Sequence, residues 1–451
     1  MNGKENQIIK YIDTHKNEFV SLLQTLVRIP SVTGNEKKVQ EFIEQKLKTL
    51  GFETKMSEPD IKKMFEMFPE IAQVPSIGEE GLDMPLMTED KFTYEQLMAS
   101  PYDRLKSYKD RPNLVGVLKG TGGGRSLILN GHIDTVPVGD LSKWHHDPFG
   151  GEIVDEKIYG RGAVDMKGGV AAMICATETL KALDIRLTGD LMIQTVVNEE
   201  HAGGGALGLV AEGYKADAAI VTEPAGFGAN VLLNGSGGGV YWEVIVKGKE
   251  AHANSRWKDD TPFGISANEK AALVVSNLIK MESQINKEKY LMSLCVGKLH
   301  GGTYATATAP ECVINGVAYF SPYLGTGEAG IVKVKNLLKE AVLSVDDPWL
   351  KANPPTIKFQ HYDDAYVLDA GKTAIQDAVA SAIIDAIDKK PVYSMLGGGC
   401  DARHLGNQAG IPTVVYGPGD CAVAHSADEY VGIDDFINSI KVLAMTVYRW
   451  C

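Results

Sequence analysis

The pattern of apolar and polar positions predicts that helices and strands alternate over most of the chain. In the segment 31–50, SVTGNEKKVQEFIEQKLKTL, apolar residues recur at helical spacing along one face. The runs SLILNGHID, DLMIQTVV and AAIVTEP are short and apolar, as buried strands are, and MKGGVAAMICATETLKAL has the pattern of a helix. Strands that alternate with helices indicate an α/β fold whose mostly parallel sheet is covered by helices on both faces.

Short-range signals predict the ends of the first of these helices. Thr33 and Glu36 have the spacing of a capping box, in which the two side chains and backbone N–H groups bond reciprocally. Gly51 is a typical helix stop. The helix is therefore expected to start within the TGNE segment and to end before Gly51.

The pattern changes near residue 236 and changes back near residue 358. Between these positions the order of predicted elements is β-α-β-β-α-β, the order of a ferredoxin-like unit. We therefore predict one larger α/β domain, built from residues 1–235 and 358–451, that is interrupted by a smaller α+β domain at 236–357. Residues 58–111 are rich in Met, Glu, Pro and Lys and show only short helical patches, so we interpret them as an insertion in the first part.

Composition narrows the classes of partner. Asp and Glu outnumber Lys and Arg by 58 to 45, which gives a formal net charge of −13. Nucleic acid and anionic membrane surfaces both require a basic face, so neither is expected as a partner. We also expect no signal peptide and no membrane span. The six cysteines include no Cys-x-x-Cys pair, which favours free thiols in a reducing cytoplasm.

Acidic and imidazole side chains follow the predicted strands. Ligands bind outside the carboxyl ends of strands in open parallel sheets, so side chains at these ends are expected to lie close together. His132 and Asp134 end the run SLILNGHID, Glu199 and Glu200 follow DLMIQTVV, and Glu223 lies in AAIVTEP. The turns GRGAVDMKGG and GPGDCAVAHSADEY contain Asp165 and His425.

Glu199 and Glu200 are adjacent at the end of an apolar run, although neighbouring carboxylates repel and are costly to desolvate. A nearby cation makes the arrangement tolerable: one glutamate would bind it, and the other would face water on it. Successive residues of a straight strand point in opposite directions, so the chain must turn here, and we expect the following AGGG to permit the turn.

The donor types indicate which cation. His132, Asp165, Glu200, Glu223 and His425 provide two nitrogens and three carboxylates without a thiolate, a set that suits Zn²⁺, Co²⁺ or Mn²⁺. Five such ligands are too many for one tetrahedral ion and suit two ions roughly 3.5–4 Å apart with one bridging carboxylate. The alternatives are a structural histidine at 132, an exposed loop at Glu199 and Glu200, and a helix N-cap at Asp165, none of which explains the whole set.

Six motifs in this order resemble one enzyme family. GHIDTVP, GRGAVDMKGG, NEE, TEP, GPG and AHSADEY are similar to those of the di-zinc metallohydrolases that include acetylornithine deacetylase, succinyl-diaminopimelate desuccinylase and glutamate carboxypeptidase, metallopeptidase family M20. The resemblance covers nearly the whole chain outside 58–111. It implies a zinc-exopeptidase-like catalytic domain and a ferredoxin-like lid and dimerisation domain.

The resemblance also implies residue roles. Asp165 would bridge two Zn²⁺ ions, with His132 and Glu223 on one ion and Glu200 and His425 on the other. Glu199 would be the general base, Asp134 would support His132, and His252 would stabilise the oxyanion. In dimeric members the lid histidine reaches the neighbour's active site, which implies a homodimer. Arg403, in LGGGCDARHL, would pair with a substrate carboxylate, or alternatively with an internal acid.

Three positions depart from the family pattern, and the first two bear on the substrate. Ala307 and Phe320 stand where family members usually carry an Asn and an Arg that clasp a substrate carboxylate, and Cys400 stands at a usual Thr or Ser. The expected activity is hydrolysis of a small-molecule amide, nearest to an acetylornithine deacetylase-like N-deacylase. A dipeptidase or carboxypeptidase, and a deformylase or decarbamoylase, are the enzymatic alternatives. A metal-containing binding protein without activity and a nucleotide-binding protein are less consistent with the residues.

Overall fold

The computed structural model describes residues 1–69, 71, 93–99, 106–258 and 261–451. The helices of these residues are α1 Gly3–Thr14, α2 Lys16–Val27, α3 Lys37–Thr49, α4 Ile61–Met67, α5 Tyr94–Ala99, α6 Gly168–Ala182, α7 Glu199–Ala202, α8 Gly204–Glu212, α9 Ala267–Ile285, α10 Gly327–Leu343, α11 Pro348–Ala352, α12 Ala374–Ile387 and α13 Ile433–Trp450. Short 3-10 or π turns lie between them. None of the described helices has both the length and the apolar character needed to cross a membrane.

The strands fall into one large sheet, one four-stranded sheet and three small ribbons. They are β1 Glu53–Ser57, β2 Asn113–Leu118, β3 Leu127–His132, β4 Glu152–Val154, β5 Lys157–Tyr159, β6 Leu191–Val196, β7 Ala218–Val221, β8 Ala225–Gly226, β9 Val231–Ser236, β10 Gly238–Lys247, β11 Trp257–Lys258, β12 Thr261–Pro262, β13 Met292–Gly301, β14 Glu311–Phe320, β15 Thr356–Asp363, β16 Tyr366–Val367, β17 Val392–Leu396, β18 Thr413–Val415, β19 Gly419–Asp420 and β20 Tyr430–Gly432.

The large sheet has the order β1-β2-β6-β3-β7-β18-β9-β16, with β17 also paired to β9. Its centre, β6-β3-β7-β18, is parallel, whereas β1, β2 and β16 pair antiparallel toward the edges. Every residue of β3, β6 and β7 is buried. Burial on both faces explains why these strands are continuous apolar runs in the sequence. The predicted α/β fold with a mostly parallel central sheet is thus confirmed.

The second sheet has the order β13-β14-β10-β15 and is antiparallel throughout. Helices α9 and α10 pack against it, and the order of elements along the chain is the predicted one. β15 runs through residue 357, where the sequence places the end of the smaller domain. The three-part division at 235 and 357 stays a prediction.

The segment 58–111 contains α4 and α5 and, among its described residues, no strand. Residues 70, 72–92 and 100–105 lie outside the described part of the chain. Helix α4 packs against α8 and α5, so the described start of the segment contacts the helix that follows Glu199 and Glu200.

The predicted capping box is wrong. Helix α3 begins at Lys37, and Glu36 at its N-cap makes no side-chain cap bond. The Thr33 hydroxyl instead donates to Asp134 at 2.8 Å, and the Glu36 carboxylate accepts from Arg111. Both side chains are recruited by buried charged partners, whose hydrogen bonds are stronger than a neutral cap.

Candidate active site

The carboxyl ends of three neighbouring parallel strands bring the predicted residues together. His132 is the last residue of β3, Glu199 and Glu200 follow β6 by a few residues, and Glu223 follows β7. Asp165 lies in the turn before α6, with non-helical backbone angles, and is not the helix N-cap. Convergence at this edge is what a parallel sheet predicts.

Asp165 lies between the two histidines and directs one oxygen to each. Its Oδ1 is 3.0 Å from Nε2 of His132, and its Oδ2 is 3.3 Å from Nε2 of His425. On the first side, Oε1 of Glu223 is 3.4 Å from His132 Nε2. On the second, Oε2 of Glu200 is 2.9 Å from His425 Nε2. The five side chains therefore form two adjoining groups that share one carboxylate.

This donor set fits two divalent cations. Ligand atoms of His132, Asp165 and Glu200, and separately of His132, Glu199 and Glu223, lie within 4.8 Å of one another. The donors are imidazole nitrogens and carboxylate oxygens, which suit zinc and similar ions. The second group contains Glu199, the predicted base, in addition to predicted ligands.

Backbone conformation separates Glu199 from Glu200. Asn198 has φ of 64° and places the next two residues at the start of the short helix α7, so they no longer alternate across a strand. The turn therefore precedes the glutamates. The sequence had suggested instead that the turn would depend on the glycines after them. His425 also has a positive φ, of 58°. Left-handed backbone at non-glycine residues is uncommon and concentrates at functional sites.

The carboxylate of Asp134 holds this turn. It accepts hydrogen bonds from the backbone N–H of Glu199 at 3.1 Å and of Glu200 at 3.3 Å. Nδ1 of His132 is 2.9 Å from the backbone carbonyl of Asp134 but 3.7 Å from its carboxylate. The backbone carbonyl of Asp134, and not its carboxylate as predicted, thus accepts the proton on Nδ1. Nε2 is then free to face the two groups of candidate metal ligands.

Burial and crowding shift the pKa values of these acids. Burial raises the pKa of Glu200 to about 7, and the charge of Asp165 adds to the effect. Burial likewise raises the pKa of Glu223 to about 7, against the opposing charge of His132. The pKa of Glu199 is raised in the same way. Such carboxylates are costly to ionise together, and bound cations would relieve this cost.

The pKa values of both histidines are raised, whereas burial alone would lower the pKa of an imidazole. Hydrogen bonds to Asp165 and Glu200 raise the pKa of His425 to about 11. Burial opposes protonation of His132, but Glu223 and Asp165 outweigh it and raise its pKa. Burial alone would raise the pKa of Asp165; hydrogen bonds from the two histidines outweigh it and lower that pKa. The contacts between the imidazoles and Asp165 thus raise the pKa values of the histidines and lower that of the acid.

Glu429 positions Asp165 and was missed from sequence. Its carboxylate accepts from the backbone N–H of Val164 at 3.1 Å and of Asp165 at 3.2 Å, and from Arg161 at 2.6 Å. The side chain is buried. Its signal in the sequence is an acid four residues after His425 that is followed by strand β20.

The sequence did not point to Arg111 either. Its side chain anchors the turn at Asn198, directly before Glu199. Its guanidinium donates to Glu36 at 2.5–3.1 Å and, through Nη2, to the side-chain oxygen of Asn198 at 2.9 Å. Arg111 and Glu36 are both buried. The last residue of the predicted insertion is therefore tied to the residue that precedes Glu199.

A cavity of about 700 Å³ opens beside the two groups of candidate metal ligands. It is lined by residues of the four-stranded sheet and of the 395–403 segment, and by Asp165, Glu199, Glu200, Glu223 and His425. His252 is not among the lining residues. It is exposed, its Nδ1 lies 2.6 Å from the side-chain oxygen of Asn254, and its backbone forms a bridge with Ala307.

Arg403 does line the cavity, but an internal acid holds it. Its Nη2 is 2.8 Å from Asp363, and its Nε is 3.5 Å from Asp364. The side chain is only 3% exposed. This contact matches the internal ion pair named as the alternative at the sequence level. Cys400 is buried and burial raises its pKa, so its thiol is not an activated nucleophile.

Comparison with known proteins agrees with this geometry. The model of peptidase family M20/M25/M40 matches residues 128–449. The chain is 31% identical over 373 residues to N-formyl-4-amino-5-aminomethyl-2-methylpyrimidine deformylase of Bacillus subtilis, covering 77% of this chain and 85% of the relative. It is 28% identical to succinyl-diaminopimelate desuccinylase of Cupriavidus necator, covering 82% and 93%.

Solved structures show the same fold. The dipeptidase Dug1p of Saccharomyces cerevisiae aligns with a TM-score of 0.69 at 17% identity, over 100% of this chain and 99% of that one. A dinuclear metal binding peptidase of the M20 family from Bacillus subtilis aligns with a TM-score of 0.61 at 12% identity, over 97% and 98%. The chain therefore belongs to peptidase family M20/M25/M40 and is a hydrolase of the metallopeptidase and amidohydrolase type.

Proposed function

We propose that the protein removes a small acyl group, formyl in the first instance, from an amine by two-metal amide hydrolysis. The observation that carries this is the position of Asp165, with one oxygen toward each histidine, near the half-buried Glu199. The relative at 31% identity, a deformylase by name, supports the choice of acyl group.

The proposed metals are two Zn²⁺ ions, with Co²⁺ or Mn²⁺ as alternatives. His132 and Glu223 would hold one ion, Glu200 and His425 the other, and Asp165 both. When bound, such ions lower the pKa of water from 15.7 to about 7 and polarise an amide carbonyl. Glu429, through the backbone N–H groups of Val164 and Asp165, keeps the shared carboxylate in place.

Glu199 would act as the general base and later as the acid. Its buried environment raises its pKa, which brings the group nearer to the pH at which it must both take and return a proton. It would accept a proton from the attacking water and donate one to the leaving amine. Asp134 is a positioning residue, because its carboxylate binds the N–H of Glu199.

His252 would stabilise the oxyanion in the active site of a second copy of the chain. Its exposure and its absence from the cavity of its own chain support this assignment. It requires a homodimer formed through the smaller domain. The six cysteines are all free, which supports the expected cytoplasmic location.

A deacylase of an uncharged or basic amine is favoured over a dipeptidase, a carboxypeptidase or a desuccinylase. These alternatives need cationic groups for a substrate carboxylate. Arg403 is engaged by Asp363, and Phe320 stands in place of the family's arginine. Both observations argue against a carboxylate clasp within the described part of the cavity.

The direct test is an assay of the zinc- or cobalt-reconstituted protein on matched N-formyl, N-acetyl and N-succinyl amines and on simple dipeptides. We expect the N-formyl amine to be hydrolysed with the highest kcat/KM. Hydrolysis of dipeptides alone would transfer the assignment to the peptidase alternative. No turnover of any amide by protein with two bound metals would refute the proposed function.

A further inference from the structure

We propose that the part of the cavity lined by the four-stranded sheet and by the 397–403 segment binds a flat aminopyrimidine-type ring, with a tyrosine wall against the ring and the Asp363 carboxylate as acceptor for its amino group. This inference rests on the proposed function and specifies the amine half of the substrate. Neither the family match nor the fold assigns these residues a role.

The tyrosine wall consists of Tyr241 on β10, Tyr319 on β14 and Tyr290 just before β13, all of which line the cavity. The hydroxyl groups of Tyr241 and Tyr319 are 3.0 Å apart, and their rings lie nearly perpendicular, at 81°, with centroids 6.3 Å apart. Locked aromatic side chains offer a rigid surface for an aromatic ligand, through offset or edge contacts. An aliphatic substrate would gain less from this arrangement.

The Asp363–Arg403 ion pair decides the polarity of this side. The Arg403 side chain is 3% exposed and that of Asp363 is 15% exposed, so the carboxylate is the accessible member of the pair. A carboxylate accepts hydrogen bonds from an amino group and repels another carboxylate. The adjacent guanidinium, with Nη2 2.8 Å from Oδ1 of Asp363, fixes the position of the carboxylate.

The glycine segment 397–399 leaves room for the ring. A Cβ added at Gly397 or Gly398 would meet no atom within 4 Å, although both residues line the cavity. The next residue, Gly399, lies against the ion pair, because a Cβ there would be 2.8 Å from Nη1 of Arg403 and 3.3 Å from the Cβ of Asp363. The cavity thus combines an aromatic wall, an acceptor and free volume with the candidate hydrolytic groups.

The experiment measures kcat/KM for three N-formyl substrates: the N-formyl aminomethylpyrimidine with its 4-amino group, the same compound without that group, and an N-formyl amino acid. We expect the first to be preferred over the second by about tenfold or more, the size of one hydrogen bond to a charged group. We expect Asp363→Asn to reduce this preference mainly through KM. The N-formyl amino acid should be the poorest substrate.

A second variant tests the wall without disturbing the ion pair. Tyr319→Leu should raise KM for both pyrimidines, whereas Tyr323→Leu, an exposed tyrosine outside the cavity lining, should leave it unchanged. Equal kcat/KM for the ring substrates and the amino acid, or an Asp363→Asn loss that is the same with and without the amino group, would overturn the inference. In either case turnover of N-formyl substrates would leave the proposed function intact; only the absence of all turnover removes both.

Discussion

At the residue scale, two adjacent glutamates acquire different roles because one backbone angle changes before them. The left-handed Asn198 turns the chain, and Asp134 then binds both following N–H groups. Glu200 approaches His425 at 2.9 Å, whereas the nearest histidine nitrogen to Glu199 is His132 Nε2 at 3.9 Å. These distances support the proposed roles of Glu200 as a metal ligand and of Glu199 as the general base.

Replacing the base should separate catalysis from metal binding. We expect Glu199→Gln to lower kcat by about 10²–10⁴-fold, the usual contribution of a positioned general base. Metal content, measured by elemental analysis, should stay at the wild-type value. Glu200→Gln is the matched control, because it should lose metal as well as activity. Wild-type kcat in Glu199→Gln would show that another group moves the proton.

The raised pKa values of Glu200 and Glu223, each about 7, predict pH-dependent metal affinity. A raised carboxyl pKa means that the metal-free protein holds the proton below about pH 7 and loses it above. Ligands must be deprotonated to bind metal, so affinity should rise as pH increases from 6 to 8, with proton release on binding. Calorimetric titration with Zn²⁺ in buffers of different ionisation enthalpy measures both. A Zn²⁺ affinity that does not change with pH, with no proton release on binding, would contradict the assignment of Glu200 and Glu223 as ligands.

At the element scale, Arg111, the last residue of the predicted insertion 58–111, contacts the turn that leads into Glu199 and Glu200. Arg111 joins α3, through Glu36, to the residue before α7. The contact spans 75 residues in one direction and 87 in the other. Although the segment 58–111 lies apart from the regular αβ order, its end belongs to the support of the active site.

Arg111→Lys tests this support. Lysine keeps the charge but cannot reproduce the forked contacts to Glu36 and Asn198, so the turn should lose its fixed geometry. We expect kcat to fall about tenfold or more, because small displacements of catalytic groups are costly, with KM and metal content nearly unchanged. The control is Lys37→Ala, which breaks the neighbouring exposed ion pair with Asp110. Equal effects of the two variants on kcat would argue against a positioning role.

The elements that the sequence predicts well are those whose signal is local. β3 and β6 are buried on both faces and are therefore continuous apolar runs, and the metal ligands follow such strands. The capping box failed because Thr33 and Glu36 found partners about 100 and 75 residues away. Arg111, Glu429 and the identity of the acid that pairs with Arg403 escaped prediction for the same reason: each depends on a contact made only by the folded chain.

At the scale of the whole molecule, the cavity lies where the two sheets of the chain meet. Candidate ligands that follow strands of the large sheet line it together with tyrosines of the four-stranded sheet. His252 lies outside this cavity. Completion of the site by a second copy accounts for that position and makes activity a property of the proposed dimer.

Subunit complementation tests the role of His252. Homodimers of His252→Ala and of Glu199→Gln should each be poorly active while binding metal normally. Co-expressed as a mixed population, the two variants should recover about a quarter of wild-type activity, since half of the dimers are mixed and each has one intact site. A mixed population no more active than its parents would place His252 in its own chain's chemistry or outside the reaction.

The central claim is that Asp165 joins two cation sites, and metal stoichiometry tests it most directly. The chelator-treated protein should take up two Zn²⁺ ions per chain, and Asp165→Ala should weaken both sites because each loses a shared ligand. Uptake of one ion or none by the folded wild-type protein, or two ions held with unchanged affinity by Asp165→Ala, would contradict the account.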